Sequence, residues 1–292
     1  MNHLDLFSGI GGFALAASWV WKEEHNIVAF YEPDKICQSV LKKHWPNVPI
    51  RNDVRDYDIR DTAEIVCGGD PCPIRSKARS IWRSGKCTDY SGYFLAVVQR
   101  SRAKWVLREN VPASDDQDFS SALELLGYRT IIIRTNAYPF TGQNRTRDII
   151  VGCSEKTKAD QFRLCFERKS RKRVDKKKYQ KAEGYPCLTT HACRYDSRDG
   201  YIWDGSGRLR TADKDERTKL AGFPDKWLNG LSKTAVAKVT GNAIVPQVVV
   251  PIMEAIKKLS PNKPMQRHIK AARASTMKYL SIDRGNEHYT CL

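Results

Sequence analysis

Residues 3–32 read HLDLFSGIGGFALAASWVWKEEHNIVAFYE, and this stretch sets the fold. HLDLF (3–7) reads as a short strand, the glycines after it as a tight turn, Phe13 to Lys22 as a helix, and IVAFY (27–31) as a second strand. Glycines at 9, 11 and 12 let the chain turn sharply and bring backbone N–H groups close to a ligand. Twenty-three residues beyond Gly9, Glu32 stands at the end of the second strand, where a carboxylate accepts hydrogen bonds from ribose hydroxyls. Asp53, after the next turn, has the chemistry to meet an adenine amine. Together these residues predict an adenosine-containing cofactor at the carboxyl ends of the strands. By itself the glycine pattern is shared with NAD-binding folds, and it is also the pattern of a plain tight turn.

Working outward, the same rhythm continues. A helix is predicted from Lys35 to His44, strands at 64–67, 104–108, 129–135 and 147–152, and a helix over 118–127 closed by Gly127. Alternating strands and helices predict an α/β fold with a mostly parallel, doubly wound sheet. After Cys153 the character changes. Residues 155–181 carry twelve Lys/Arg against four Asp/Glu, with few apolar positions and no clean period. They read either as a solvated basic loop or as an arm against phosphates. Residues 184–227 are rich in Gly, Tyr, Arg and Asp, which suggests a small irregular domain of short strands, and 234–258 return to a compact apolar pattern.

The 292 residues suffice for one large domain with a smaller companion, and the formal charge of +17 favours a polyanionic partner, nucleic acid before a membrane surface. No apolar run approaches the length of a membrane span, and MNHLDLFSG lacks the features of a signal peptide. The expectation is a cytoplasmic protein, nucleoid-associated in a prokaryotic or virus-infected cell, monomeric and without a membrane partner. The nine cysteines are odd in number, irregularly spaced and free of any CxxC pair. A disulfide framework and a zinc site are therefore not expected, and most of the thiols read as reduced, buried small hydrophobes.

One cysteine reads differently. In Gly68-Gly69-Asp70-Pro71-Cys72-Pro73 the prolines fix the backbone on both sides of Cys72, and the segment follows a strand. A thiol held at a strand end beside a cofactor is suited to nucleophilic attack. Glu109-Asn110-Val111 ends the next strand, and strand ends of an open α/β sheet line one crevice, so Cys72 and Glu109 are expected to share a pocket. Gln143-Asn144-Arg145-Thr146-Arg147 begins a further strand, with arginines suited to position an anion or a thiolate.

These segments, DLFSGIGGF (5–13), GGDPCP (68–73), ENV (109–111), QNRTR (143–147) and GNAIVP (241–246), resemble the cytosine-C5 DNA methyltransferases in content and order. LRTADKDERTKLAGFPDKW (209–227) resembles the block after that family's target-recognition region. The resemblance covers about residues 4–258 and is weakest from 155 to 208. It implies a SAM-methyltransferase Rossmann-like catalytic domain from 1–152 plus 235–260, a small irregular target-recognition domain at 153–234 and a basic tail at 261–292. It further implies S-adenosylmethionine as cofactor, S-adenosylhomocysteine as product and double-stranded DNA as partner. The target cytosine would be flipped into the pocket. Cys72 would add to C6 of the ring, Glu109 would hold N3 and the exocyclic amine, and Arg147, supported by Arg145, would orient nucleophile and substrate. By the same matching Phe7, Gly9, Gly11, Glu32, Asp53, Pro71 and Asn242 fall in the cofactor pocket.

The sequence departs from the pattern at two places. Pro73 stands where most members carry glutamine, and Asp70 where an apolar residue or proline is usual. A carboxylate so close to Cys72 would raise the thiol pKa unless it points away or is paired. Arg75, Lys77 and Arg79 are placed to offset it and to grip phosphates, or simply to form a solvated loop. TTHACRYDSRDGY (189–201) carries residue types able to reach base edges. Three other readings compete with this one. A tRNA-directed branch carries a short signature not found here; a silent DNA-binding relative would not need Cys72, Glu109 and Arg147 together; an NAD-dependent enzyme leaves the later motifs without a role.

Overall fold

The protein is described here by a computed structural model, which defines residues 1–71, 90–113, 116–170, 184–190, 200–203, 205 and 207–260. Cys72, Pro73, Arg75, Lys77 and Arg79, residues 171–181 of the basic arm, 191–199 and the tail 261–292 lie outside the described residues. In chain order the elements are β1 (Asn2–Leu6), α1 (Gly12–Trp21), β2 (Asn26–Tyr31), α2 (Lys35–His44), β3 (Ile50–Arg51), β4 (Ile65–Gly68), α3 (Ser91–Ser101), β5 (Trp105–Asn110) and α4 (Asp116–Leu125). There follow β6 (Arg129–Asn136), α5 (Tyr138–Thr141), β7 (Gln143–Asn144), β8 (Thr146–Cys153), α6 (Lys156–Ser170), β9 (Tyr185–Pro186), β10 (Tyr201–Trp203), β11 (Leu209–Thr211), α7 (Lys214–Leu220), α8 (Lys233–Asn242) and α9 (Pro246–Leu259).

Seven strands form one sheet in the order β3-β2-β1-β4-β5-β8-β6. Pairs among β3, β2, β1, β4 and β5 are parallel, and β8 runs antiparallel to both β5 and β6. The strands are apolar on both faces, as a sheet covered on both sides requires. Ile65, Cys67, Trp105, Leu107, Ile149 and Val151 point to one face, where they meet α1 and α9 through Phe13, Val249, Ile252 and Met253. Leu4, Leu6, Val66, Val106 and Ile150 point to the other, against Phe94 and Val98 of α3 and Phe119 and Leu123 of α4. Each such side chain, fully buried, contributes roughly 1.5–3 kcal/mol. The sheet is therefore mostly parallel and doubly wound, as the alternation of elements predicts.

Two expectations change. Residues 156–170 of the basic stretch form a helix rather than a loop, because Ala159 and Phe162, three residues apart, share one buried face, with Phe162 5.6 Å from the Trp105 ring. Lysines and arginines on the remaining face hide this two-residue stripe from a search for period. The second concerns length: Lys233–Leu259 is helical and apolar enough to cross a membrane by those measures alone. It is broken into α8 and α9 at Ala243, and 61% of its most apolar window is buried within the protein. These are core helices.

Met1–Leu259 form one compact unit. Within it, Leu188, Phe223, Trp227 and Val236 share a cluster with Ile10, Leu15 and Cys37. Trp227 donates from Nε1 to the Ile10 carbonyl at 3.2 Å and stacks on His44, ring centres 3.5 Å apart. The later segments thus pack directly behind the glycine turn of residues 9–12.

Candidate active site

The carboxyl ends of β1, β2, β4 and β5 open on one cleft of about 560 Å³, where ligands of open α/β sheets bind. Phe7 and Gly9 follow β1, Glu32 follows β2, Pro71 follows β4, and Glu109 is the penultimate residue of β5; all line the cleft. Because β8 is antiparallel to β5, its beginning lies at the same edge and brings in Arg145 and Arg147. Asn242, at the end of α8, closes the far side. Of the eleven residues singled out from sequence, eight meet here. Cys72 is outside the described residues, although its neighbour Pro71 is on the wall.

Gly11 and Asp53 stand elsewhere. Gly11 has φ +83° as the cap of α1, and a Cβ there would lie 2.5 Å from the Trp45 ring, so its service is to the turn and its packing. Asp53 caps the short turn Val54–Asp56, accepting from the Arg55 amide at 2.8 Å and from both edges of the Arg55 guanidinium at 2.9 and 2.6 Å. Sequence spacing gives a carboxylate after the turn but not which neighbour captures it.

One end of the cleft carries an acid held by backbone. Glu32 accepts from the Gly9 amide at 2.7 Å and from the Asp34 amide at 2.8 Å. Burial pushes its carboxyl above the usual range, while these two N–H groups work against the shift. Asp34 caps α2 through the amides of Ile36 and Cys37 and meets the ammonium of Lys238 from α8. Burial raises Asp34, but Lys238 and the two amides outweigh it and hold the carboxyl below its ordinary value. Gly9 presents open space to the cleft: a Cβ there would meet nothing within 4 Å. A nucleoside with a ribose diol fits this donor set, with Glu32 on the hydroxyls and the Phe7–Gly9 backbone beneath.

The other end carries a carboxylate against a guanidinium. Glu109 pairs across the sheet with Ile149, so Arg147 is its diagonal neighbour on β8. Arg147 Nε lies 3.0 Å from Glu109 Oε1, with both side chains largely buried. Arg145 donates to the Gly241 carbonyl at 3.1 Å and is only 4% exposed; burial first, and then the Arg147 charge, lower its pKa. Asp70, the departure noted in the sequence, is gripped from two sides by the guanidinium of Arg108, and Asn110 donates to its backbone carbonyl at 3.3 Å. Arg108, Asn110 and Lys238 were not assigned roles from sequence. The one available signal was an arginine inside the apolar strand KWVLR, immediately before ENV. Among the described residues no group of three or more His, Cys, Asp or Glu is arranged to hold a metal ion.

Comparison with known proteins agrees with this geometry. The sequence profile of C-5 cytosine-specific DNA methylases matches residues 1–192 and 177–258. A Type II methyltransferase of Lactococcus lactis subsp. cremoris is 26% identical over 302 residues, covering 87% of this chain and 76% of its own. A Type II methyltransferase of Bacillus subtilis (strain 168) is 29% identical over 169 residues, 52% of this chain, and the match spans only 41% of that relative's length. Among solved structures, the S. pombe Dnmt2 methyltransferase superposes with a TM-score of 0.65 at 16% identity, covering 89% of this chain and 98% of that one. An Entamoeba histolytica methyltransferase does so at 0.64 and 14%, covering 88% and 98%. Strand order, cleft and sequence match converge: the chain belongs to the C-5 cytosine-specific DNA methylase family.

Proposed function

We propose that the protein transfers a methyl group from S-adenosylmethionine to C5 of a cytosine flipped out of duplex DNA. The observation that carries the reading is one cleft holding both ends of such a reaction. At one end is the backbone-anchored Glu32 beside Gly9; at the other is the Glu109–Arg147 pair, with Pro71 leading into Cys72.

S-adenosylmethionine, when bound, supplies the electrophilic methyl carbon that C5 takes up. Glu32 holds the ribose hydroxyls, and the Gly9 turn accepts the ligand close to the backbone. Cys72, as thiolate, adds to C6; the new S–C bond moves electron density through the ring toward C5 and N3. Glu109 accepts from the 4-amino group and, with a proton shared between its carboxyl and N3, neutralises the density arriving there, while Arg147 holds the Glu109 carboxyl in place. After transfer the C5 proton leaves to a base and the S–C6 bond breaks. The ring regains its double bond and Cys72 its thiolate. The formal charge of +17 supports a polyanionic partner, since lysine and arginine contacts to phosphate dominate affinity for DNA.

The test is transfer of label from tritiated S-adenosylmethionine to genomic DNA or to tRNA, followed by nucleoside analysis. Label in 5-methyldeoxycytidine, lost in Cys72→Ser with cofactor binding retained, is the expected result. Label in tRNA alone, or normal turnover by Cys72→Ser, would overturn it.

A further inference from the structure

Cys187 follows β9 in a stretch of chain tied firmly to the cleft. The Leu188 amide donates to Gln143 Oε1 at 3.0 Å, Gln143 in turn donates to the Leu220 carbonyl at 2.7 Å, and buried Arg217 donates to the Thr189 carbonyl at 2.7 Å. Held there, the Cys187 sulfur receives two guanidinium groups. Arg145 Nη1 donates to it at 3.4 Å and Arg147 Nη2 at 3.9 Å, while its own S–H is directed at the Leu188 carbonyl, 3.7 Å away. The thiol is half-buried and free of any disulfide.

Two like charges side by side repel, and Arg145, almost wholly buried with its Nε lacking a hydrogen-bond partner among the described residues, has few alternatives. A single polarisable acceptor between the two arginines fixes their spacing. Arg147 donates from Nη1 to the Thr146 carbonyl at 2.7 Å and from Nη2 to the sulfur, with Nε 3.0 Å from Glu109 Oε1, so each of its three nitrogens has a neighbour. The sulfur thus adds to the Thr146 carbonyl a second acceptor against rotation about the last side-chain bonds, which would carry Nε away from Glu109. The same sulfur reaches, through Arg145, the carbonyl of Gly241 beside Asn242.

We infer that Cys187 is a positioning residue for methyl transfer: its sulfur, shared by Arg145 and Arg147, keeps the Arg147 guanidinium seated on Glu109. The inference rests on the catalytic reading of the Glu109–Arg147 pair. It assigns to this cysteine a part distinct from that of the nucleophile, and one that needs no thiolate chemistry. The requirement is for an acceptor at this position rather than for sulfur as such.

The experiment compares Cys187→Val, close in size but without an acceptor, with Cys187→Ser, which keeps one. In Cys187→Val, kcat for methyl transfer is expected to fall about tenfold while KM for DNA and for S-adenosylmethionine stay within about twofold, and Cys187→Ser is expected to recover most of the loss. A second readout needs no turnover. In nitrogen-15 spectra the Arg147 Nε–H signal, protected from solvent exchange in the wild type and in Cys187→Ser, is expected to exchange freely in Cys187→Val. Wild-type kcat in Cys187→Val, or an Arg147 signal unchanged in it, would overturn the inference. So would a Ser variant as impaired as the Val variant. A wild-type protein that transfers no methyl group but shows the expected arginine signals would instead sink the functional reading and leave the positioning role standing.

Discussion

Arg108 and Asp70 form a two-point ion pair inside the sheet: Nε lies 2.5 Å from Oδ1 and Nη2 2.7 Å from Oδ2, with the arginine wholly buried. Arg108 sits opposite Gly68 in the β4–β5 register, so Asp70, two residues on, is its diagonal neighbour. The arginine also lies 3.7 Å from Asp116 and packs over the Phe119 ring at 4.1 Å. The carboxylate two residues before Cys72 in sequence is therefore neutralised by a buried partner.

Removing that partner leaves a buried carboxylate uncompensated, which costs far more than the pair is worth. Arg108→Met, which keeps the stem over Phe119, is expected to lose about 3–5 kcal/mol of stability in urea unfolding. Asp70→Asn, which leaves Arg108 with Asp116, is expected to lose much less. Equal losses in the two variants would contradict this account of the pair.

Glu32 is held by two amides, and a carboxamide can satisfy only one of them. In Glu32→Gln either the Gly9 or the Asp34 N–H must face an NH₂ group. Loss of charge-assisted hydrogen bonds here is expected to weaken S-adenosylmethionine binding by about ten- to a hundredfold in calorimetry. With cofactor saturating, kcat should be nearly restored. A fall in kcat that saturation does not relieve would move Glu32 from binding to chemistry.

How legible this site was in the sequence follows from what kind of relation each residue enters. Phe7, Gly9, Glu32 and Glu109 sit at strand ends, and strand ends share a crevice by topology alone, so residues far apart in the chain were brought together on paper. Asp53 stands outside the cleft lining, and its partner, Arg55 two places away, folds its side chain back on it in a way that spacing alone does not report. Arg108 and Cys187 act through partners fixed by register or by a chain crossing, the one on β4–β5 and the other against β7, and no period reports those. Helix α6 escaped because, among its described side chains, Ala159 and Phe162 alone are buried amid many charges.

The amino-terminal edge of the sheet predicts a pH dependence. His3, wholly buried, lies 3.1 Å from His25 through their ring nitrogens. Burial, and then the nearby terminal ammonium, lower the His25 pKa to about 4, while the unfolded chain titrates near 6.5. The unfolded state thus binds more protons between those values, so this contribution to stability is present above about pH 6.5 and is lost as pH falls toward 4. Melting temperatures of the wild type should drop over that window more steeply than those of His25→Gln. Parallel curves would show that His25 carries no such linkage.

Glu109 and Arg147 allow a sharper test than either residue alone. If Glu109 stabilises charge arriving at N3, Glu109→Gln should lower kcat by about a hundredfold or more, as loss of a preorganised partner at a developing charge does. Arg147 has two possible debts: it holds Glu109 at 3.0 Å, and as a cation in a cleft proposed to receive DNA it is of the right charge to meet a phosphate. The first predicts that Arg147→Met lowers kcat in the wild-type background and has almost no further effect once Glu109 is Gln. The second predicts an equal loss in both backgrounds, appearing in DNA affinity and fading as salt is raised. Single-turnover rates across the four proteins of the double-mutant cycle separate the two. The expected outcome is strong non-additivity in kcat, because Arg147 Nε lies 3.0 Å from Glu109 Oε1 and its Nη2 donates to Cys187.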